Sequence, residues 1–388
     1  MKKKKRKEKI LILFAGTHLA YSPTITQLYD ALALFADVTI LAEIAPQFIS
    51  QKLTGRNVIY FEEQPLPPPP GRLPFWRRKR NKFLKKYDRQ VKMLESVGLT
   101  LERHLGPFNR IKNTIKKGKY DRVIALDMEN LFFCSVMKIH VDFISLELGI
   151  GEQYLPYIDT KYINCVITQS EERYDYFFKG KVIKTFIVPN SPIYREYHYI
   201  GPRSGLLYGG TAWEPFGFFK CLDYVREYPD TPLTVQGAIP SDARVKMETE
   251  YKDLLDNKLL IINEGYLNNE DVVPYFAKFE IGICFYNFEV DWIRHFNYES
   301  APSGKMYKYL AAGIPIIAND TIGFKPVKEK NCGVLIPDLQ PDTIRAGIEK
   351  IRSNYAYYAS NTKPAAKHFS FDKAIQPYLD YVTTAAQN

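Results

Sequence analysis

Ser303, Gly304 and Lys305 lie near the start of the stretch Ala301-Pro-Ser-Gly-Lys-Met-Tyr-Lys-Tyr-Leu-Ala-Ala-Gly-Ile-Pro-Ile-Ile-Ala318. Their order suits the binding of an anion. A helix that begins here offers its first free amides and the positive end of its dipole. Lys305 adds a full positive charge in the first turn. The dipole disfavours a cation there, so the lysine points to an anionic partner. Gly313 ends the helix and Pro315 starts the next strand-like run. Three other loops follow strand-like runs. In Gly209-Gly210-Thr211 the paired glycines let backbone N–H groups approach a phosphate, although such a pair also makes an ordinary turn. Gln236 lies in Val235-Gln-Gly237, and Glu264-Gly265-Tyr266 forms the third loop.

The elements that would position these residues are legible from hydrophobic runs. In the first half the apolar, β-rich runs are Ile10–Phe14, Val38–Leu41, Val58–Phe61, Val123–Leu126, Phe143–Leu146, Cys165–Thr168 and Phe186–Val188. The pattern restarts after residue 200 with Gly205–Tyr208, Leu233–Val235, Leu259–Ile262, Ile281–Phe285, Ile314–Ala318 and Gly333–Ile336. Continuously apolar strands alternating with amphipathic helices imply parallel sheets covered on both faces. The fold class is therefore α/β, with two doubly wound domains. Ligands of such sheets bind beyond the carboxyl ends of the strands, and two arrays facing one another would make a cleft. The break falls near Val188-Pro-Asn-Ser-Pro192, where two prolines interrupt both patterns.

The 388 residues are too many for one ordinary core. Hydrophobic residues are 46% and charged residues 25%, which places the chain among folded globular proteins. No apolar run approaches the roughly 20 residues that span a bilayer, and the N-terminus lacks the apolar core of a secretory signal. The five cysteines are scattered, with no Cys-x-x-Cys or Cys/His cluster, so buried free thiols in a reducing cytoplasm are expected. Net charge is +10, but it is local. Residues 1–9 carry +6 and residues 72–92 carry +9, leaving the rest about −5. Segment 72–92 follows a proline-rich connector and interleaves Phe75, Trp76, Phe83 and Tyr87 with its lysines and arginines.

The segment Ala301–Ala318 resembles the donor-site signature of GT-B glycosyltransferases related to family 4, in the Pro-Ser/Asn-Lys variant that ends Tyr-Leu-Ala-x-Gly. Gly205–Thr211 resembles the strand and glycine loop opening that family's second domain, and Phe279–Phe285 resembles its Ala-Asp-Val-Gly-Leu strand. Ser170–Asn190 resembles the last helix and interdomain link, and His368–Phe371 the start of the returning C-terminal helix. The resemblance implies two Rossmann-like domains. Residues 1–190 would be the acceptor side, 191–366 the nucleotide-sugar donor side, and 367–388 a helix crossing back. It implies that Ser303, Gly304 and Lys305 hold the donor diphosphate, with Gly209, Gly210 and Thr211 lining the same pocket. Gln236 lies in a neighbouring strand-end loop, while Glu264, Gly265, Tyr266 and Tyr286 would border the nucleoside or sugar. Two departures stand out. Lys308 occupies the position of the family's ribose-binding glutamate, and Ser300, next to Glu299, occupies that of the first glutamate. Ala212-Trp-Glu-Pro-Phe216 replaces the usual Arg and Lys after the glycine loop.

The implied activity transfers a sugar from a UDP- or GDP-sugar to a glycan or lipid-linked glycan in bacterial surface polysaccharide synthesis. Charge building on the leaving diphosphate is the main catalytic need. Helix amides and Lys305 would meet it without metal or other cofactor, and no Asp-x-Asp pair is present. An inverting outcome would need a carboxylate base, for which Glu147 and Glu152 are candidates. His18 sits in Gly16-Thr-His-Leu19 after the first strand and is a candidate acceptor contact. The basic aromatic segment 72–92 suits the anionic inner face of a cell membrane, where a peripheral cytoplasmic enzyme would meet a lipid-linked acceptor. No nucleic-acid module accompanies it, so nucleic acid is not an expected partner. Two other readings share the fold: a sugar-nucleotide 2-epimerase, and a non-catalytic binding module.

Overall fold

The computed structural model describes residues 6–14, 16, 19, 22–43, 53, 55–61, 101–148, 151–265, 267–290 and 296–385, with backbone alone at 101–105, 269 and 385. His18, Tyr266 and the basic segment 72–92 lie outside the described residues. The chain divides into two compact units. One comprises Met1–Val188 with Ile375–Asn388, the other Pro189–Ala374.

Unit 1 is a seven-stranded parallel sheet ordered β3-β2-β1-β4-β5-β6-β7. Its strands are β1 (Lys9–Leu13), β2 (Asp37–Glu43), β3 (Val58–Phe61), β4 (Arg122–Leu126), β5 (Val141–Ser145), β6 (Ile163–Thr168) and β7 (Thr185–Ile187). Unit 2 is a six-stranded parallel sheet ordered β10-β9-β8-β11-β12-β13. Its strands are β8 (Leu206–Gly209), β9 (Leu233–Gly237), β10 (Leu260–Glu264), β11 (Ile281–Cys284), β12 (Ile316–Asn319) and β13 (Gly333–Ile336). Each of these thirteen strands coincides, within two residues at either end, with an apolar run read from the sequence. The reason is burial on both faces: β5, β8, β9, β11 and β12 are buried along their whole length.

Each sheet is wound in two directions from its middle. The switch lies between β1 and β4 in unit 1 and between β8 and β11 in unit 2, and such points open a crevice at the carboxyl ends of the strands. Helices 127–137 and 304–312 begin at those ends.

The boundary between units differs slightly from the sequence expectation of 190/191. The Val188 N–H still donates to the Thr168 carbonyl at 2.7 Å, so unit 1's sheet holds to that residue. From Pro189 the chain is strapped to unit 2. Ser191 Oγ donates to the Phe369 carbonyl at 2.5 Å, and the Tyr194 N–H to Asp372 at 3.1 Å. Residues 367–374 are therefore part of unit 2, where a helix running 367–388 was expected. Two helices occupy the region instead, Tyr355–Phe369 and Phe371–Ala385.

Asp142, on β5, anchors the last helix within unit 1. Its buried carboxylate takes bonds from Arg122 Nη1 at 2.6 Å, the Tyr378 hydroxyl at 2.8 Å and Asn164 Nδ2 at 3.0 Å. Burial works against the Arg122 charge. Asp142, Tyr378 and Glu8 outweigh that cost and raise its pKa further above the arginine value.

Candidate functional site

On one side of the switch point of unit 2, the loops that follow β8, β9 and β10 are tied into one layer. The Gly210 N–H donates to the Gln236 carbonyl at 2.9 Å, and the Gly265 N–H to the Gly237 carbonyl at 2.9 Å. Gln236 is buried, and its Nε2 donates to the Gly265 carbonyl at 2.8 Å. Gly237 has to be glycine, because a Cβ there would stand 1.9 Å from the Gly210 carbonyl oxygen. Gly210 adopts φ +119°, yet the space beside its Cα is open.

This network changes how the glycine loop works. Sequence reasoning gave Gly209 and Gly210 amides to a phosphate, but both are already used. The Gly209 N–H donates to the Tyr309 hydroxyl at 2.7 Å, and Gly210 is held by Gln236. The two glycines supply close packing and open space. Thr211, Gly304 and Lys305 are among the described residues whose N–H groups have no backbone acceptor.

The helix Gly304–Ala312 meets the end of β8 through Lys305, over the Tyr208 ring, and through Tyr309, at Gly209. Ser303 is its N-cap and makes no side-chain capping bond, so the first amides keep their donors. Gly313 ends the helix in the left-handed region at φ +77°, and Arg203 caps its last carbonyls, donating to Gly313 at 2.6 Å. The Lys305 side chain keeps part of its surface, while its ammonium lies 4.4 Å from the centroid of the buried Tyr208 ring. Burial pushes the Lys305 pKa below the lysine value, and the thiols of Cys284 and Cys221 oppose this weakly. No carboxylate among the described residues pairs with it.

The remaining donor-side candidates are spread out. Glu264 closes β10 and spends its exposed carboxylate on Arg244 at 2.6 Å. Tyr286 is buried, its ring stacked on Phe324 at 5.7 Å and its N–H given to Asn319 Oδ1 at 2.7 Å. Glu299 is exposed on the short helix Phe296–Ser300, and Lys308 is half-buried one turn after Lys305. Tyr266 lies outside the described residues.

In unit 1, Glu147 is exposed just after β5. Glu152 opens a 3-10 turn and accepts from the Tyr176 hydroxyl at 2.8 Å; burial and that carboxylate push the Tyr176 pKa up to about 12. His18 lies outside the described residues. Sequence reasoning missed Asp127, the first residue after β4 at the switch point of this sheet. Its backbone adopts φ +59°, unusual for a non-glycine residue. Burial first, and the charge of Glu147 second, push its pKa up to about 7, against amide bonds from Leu146 and Glu147 that pull it down. The switch-point rule applied to the end of β4 would have found it. Among the described residues, no three His, Cys, Asp or Glu side chains gather as a metal site would require. The five cysteines are buried and free.

No family model matches the chain, and no curated protein matches it. Solved structures do. The Anabaena protein HepE, crystallised with UDP and glucose, superposes with a TM-score of 0.63 at 13% identity over 97% of this chain and 100% of its own. The lipopolysaccharide outer core galactosyltransferase WaaB gives 0.61 at 12% identity, over 97% and 99%. A Listeria monocytogenes protein provisionally named a UDP-N-acetylglucosamine 2-epimerase gives 0.61 at 14% identity, over 98% and 97%. At these identities the likeness is one of fold. The chain has the α/β architecture of proteins built from two Rossmann-like domains, as GT-B enzymes are.

Proposed function

We propose that the chain is a glycosyltransferase that moves a sugar from a nucleoside diphosphate donor to a glycan or lipid-linked glycan acceptor. The observation that carries this reading is Lys305. It is a crowded ammonium with no carboxylate partner among the described residues, in the first turn of a helix whose first amides keep their donors. Such a group is costly unless an anion completes it. A diphosphate does so, and the same charge becomes more valuable as the bond from sugar to diphosphate breaks and its electron pair leaves with the phosphate oxygen. HepE, of the same fold, is described with UDP and glucose bound.

The test is calorimetry and thermal shift with UDP, GDP, CMP and their common sugar conjugates on wild type and Lys305→Ala. Binding of one nucleoside diphosphate by wild type, lost in the variant, supports the donor site and identifies the base. No binding at millimolar ligand by wild type removes it and favours a non-catalytic module.

A 2-epimerase is the second reading, favoured by Asp127 beside Glu147, since epimerisation needs acid–base groups and no acceptor. Conversion of a UDP-sugar incubated with the protein alone, followed by NMR, separates the two. For the transferase reading, segment 72–92 would hold the protein at an anionic inner membrane surface, as expected in surface polysaccharide synthesis. Liposome flotation that is indifferent to anionic lipid excludes that part.

A further inference from the structure

Strands β8 and β11 flank the switch point of unit 2, yet they pair only at Ile281↔Leu206 and Gly282↔Leu207. Beyond that register their ladder stops, and a single phenol stands at the place where it would continue. The Tyr309 hydroxyl accepts the Gly209 N–H at 2.7 Å and lies 3.3 Å from both the Leu207 and Ile283 carbonyl oxygens. Its one proton serves those two acceptors in turn.

The surroundings are cut to fit that ring. A Cβ at Gly282 would come 2.5 Å from Tyr309 Cγ and Cδ2, and one at Gly209 would come 3.1 Å from its hydroxyl and 2.8 Å from Phe276 Cζ. Phe276 packs against the same ring at 5.4 Å between centroids. Tyr309 is fully buried, so its polar atom is there to make these bonds. Tyr309 also follows Lys305 by four residues, which puts both on one face of the helix. That face touches two consecutive residues of β8: Lys305 lies over Tyr208, and Tyr309 holds Gly209.

We propose that Tyr309 is a positioning residue that sets the spacing between the glycine loop and the Lys305 helix start for a nucleoside diphosphate. This rests on the donor reading above. A phenylalanine would fill the same volume but leave the Gly209 N–H unpaired. The ends of β8 and β11 could then draw together, narrowing the crevice and displacing Thr211 relative to Lys305. The hydroxyl keeps the strands apart and ties both halves of the anion site to one helix.

The test is calorimetry with UDP and GDP on wild type, Tyr309→Phe and Tyr307→Phe, at a temperature where melting curves show each fully folded. Tyr307 is a second buried tyrosine of the same helix and packs towards Phe369. We expect Tyr309→Phe to weaken the bound diphosphate about tenfold, the size of one ordinary hydrogen bond, and Tyr307→Phe to stay within about twofold. Wild-type affinity in Tyr309→Phe, with only a lower melting temperature, overturns the proposal and leaves a core tyrosine. If wild type itself binds neither nucleotide, the donor reading fails, and the inference with it; that result is visible without any variant. Should Tyr309→Phe not fold, hydrogen exchange on the wild type decides. Segments 206–211 and 301–310 must slow together when nucleotide is added, and slowing of one alone overturns the coupling.

Discussion

The Lys305 ammonium rests 4.4 Å from the centre of the Tyr208 ring, with no carboxylate among the described residues to balance it. A ring face attracts a cation by about 1 kcal/mol or somewhat more when desolvated, which offsets only part of the cost of crowding the charge. Lys305→Ala is therefore expected to leave the melting temperature unchanged or slightly higher. The same change should lower transfer by about two to three orders of magnitude, as loss of a charge-stabilising donor does elsewhere. Melting curves and turnover measured on one preparation check both halves.

The lowered Lys305 pKa gives a pH signature. Between the folded value and the ordinary lysine value the unfolded chain binds more protons, so stability of the free protein rises with pH through that window. Diphosphate binding has the opposite sign, because it needs the charged form and weakens as pH rises through the folded pKa. Calorimetry with UDP or GDP between neutral and strongly alkaline pH should show affinity falling in wild type. Lys305→Arg should flatten the profile if it binds at all, since arginine stays charged.

Asp127 carries a second pH dependence, of opposite sense. Its carboxyl titrates at about 7 in the folded chain, whereas an ordinary aspartate does so near pH ~4. The folded state thus holds a proton that the unfolded chain has released. That contribution to stability is complete below about pH 4 and is lost as pH rises to about 7, with a slope of at most about 1.4 kcal/mol per pH unit. Asp127→Asn keeps a neutral side chain at all pH values. It should lose this slope and become relatively more stable than wild type once the pH exceeds about 7. Glu147→Gln removes the like charge that helps hold the pKa up, so it should move the wild-type transition to lower pH. Thermal melts across that window measure all three.

The strands were legible because each is buried on both faces, so Ile10–Phe14 or Ile281–Phe285 stands out without knowledge of its neighbours. The helix start at Ser303 was legible for a similar reason, as its cap, dipole and terminal Gly313 are local. What could not be read was pairing across long separations. The Gly209 amide appeared open to a phosphate, but its acceptor is a hydroxyl 100 residues further on. Asp127 carries no local signal, because what raises its pKa is burial and the charge of Glu147, 20 residues further on. Tyr286, expected at the border of the ligand pocket, is packed against Phe216, Phe288, Tyr298 and Phe324, contacts that no local pattern announces.

The Asp142 cluster in unit 1 should be strongly non-additive. Asp142→Ala leaves the Arg122 guanidinium without its nearest counter-charge in a buried setting, a loss of about 3–5 kcal/mol. Tyr378→Phe removes one hydrogen bond to the same oxygen, about 1–2 kcal/mol. The double variant should cost clearly less than the two together, because Tyr378 has no carboxylate left to bind once Asp142 is gone. Denaturant melts of the four proteins in the cycle give the coupling.

Gly237→Ala tests whether the three strand-end loops form one rigid layer. The added methyl would meet a backbone oxygen, that of Gly210, at 1.9 Å, so side-chain movement cannot relieve it. Gly210 in turn is tied to Gln236, and Gln236 to Gly265, so the displacement has to pass along the layer to Thr211. A stability loss of about 1–3 kcal/mol is expected from overpacking, together with weaker UDP or GDP binding in the molecules that remain folded. Gly180→Ala is the control. Its φ of +76° also disfavours alanine, but nothing lies within 4 Å of the added methyl. It should cost about 1–2 kcal/mol of backbone strain and leave nucleotide affinity alone. Equal affinities in the two variants would mean that Gly237 serves packing only, and that the loops can shift independently of the site.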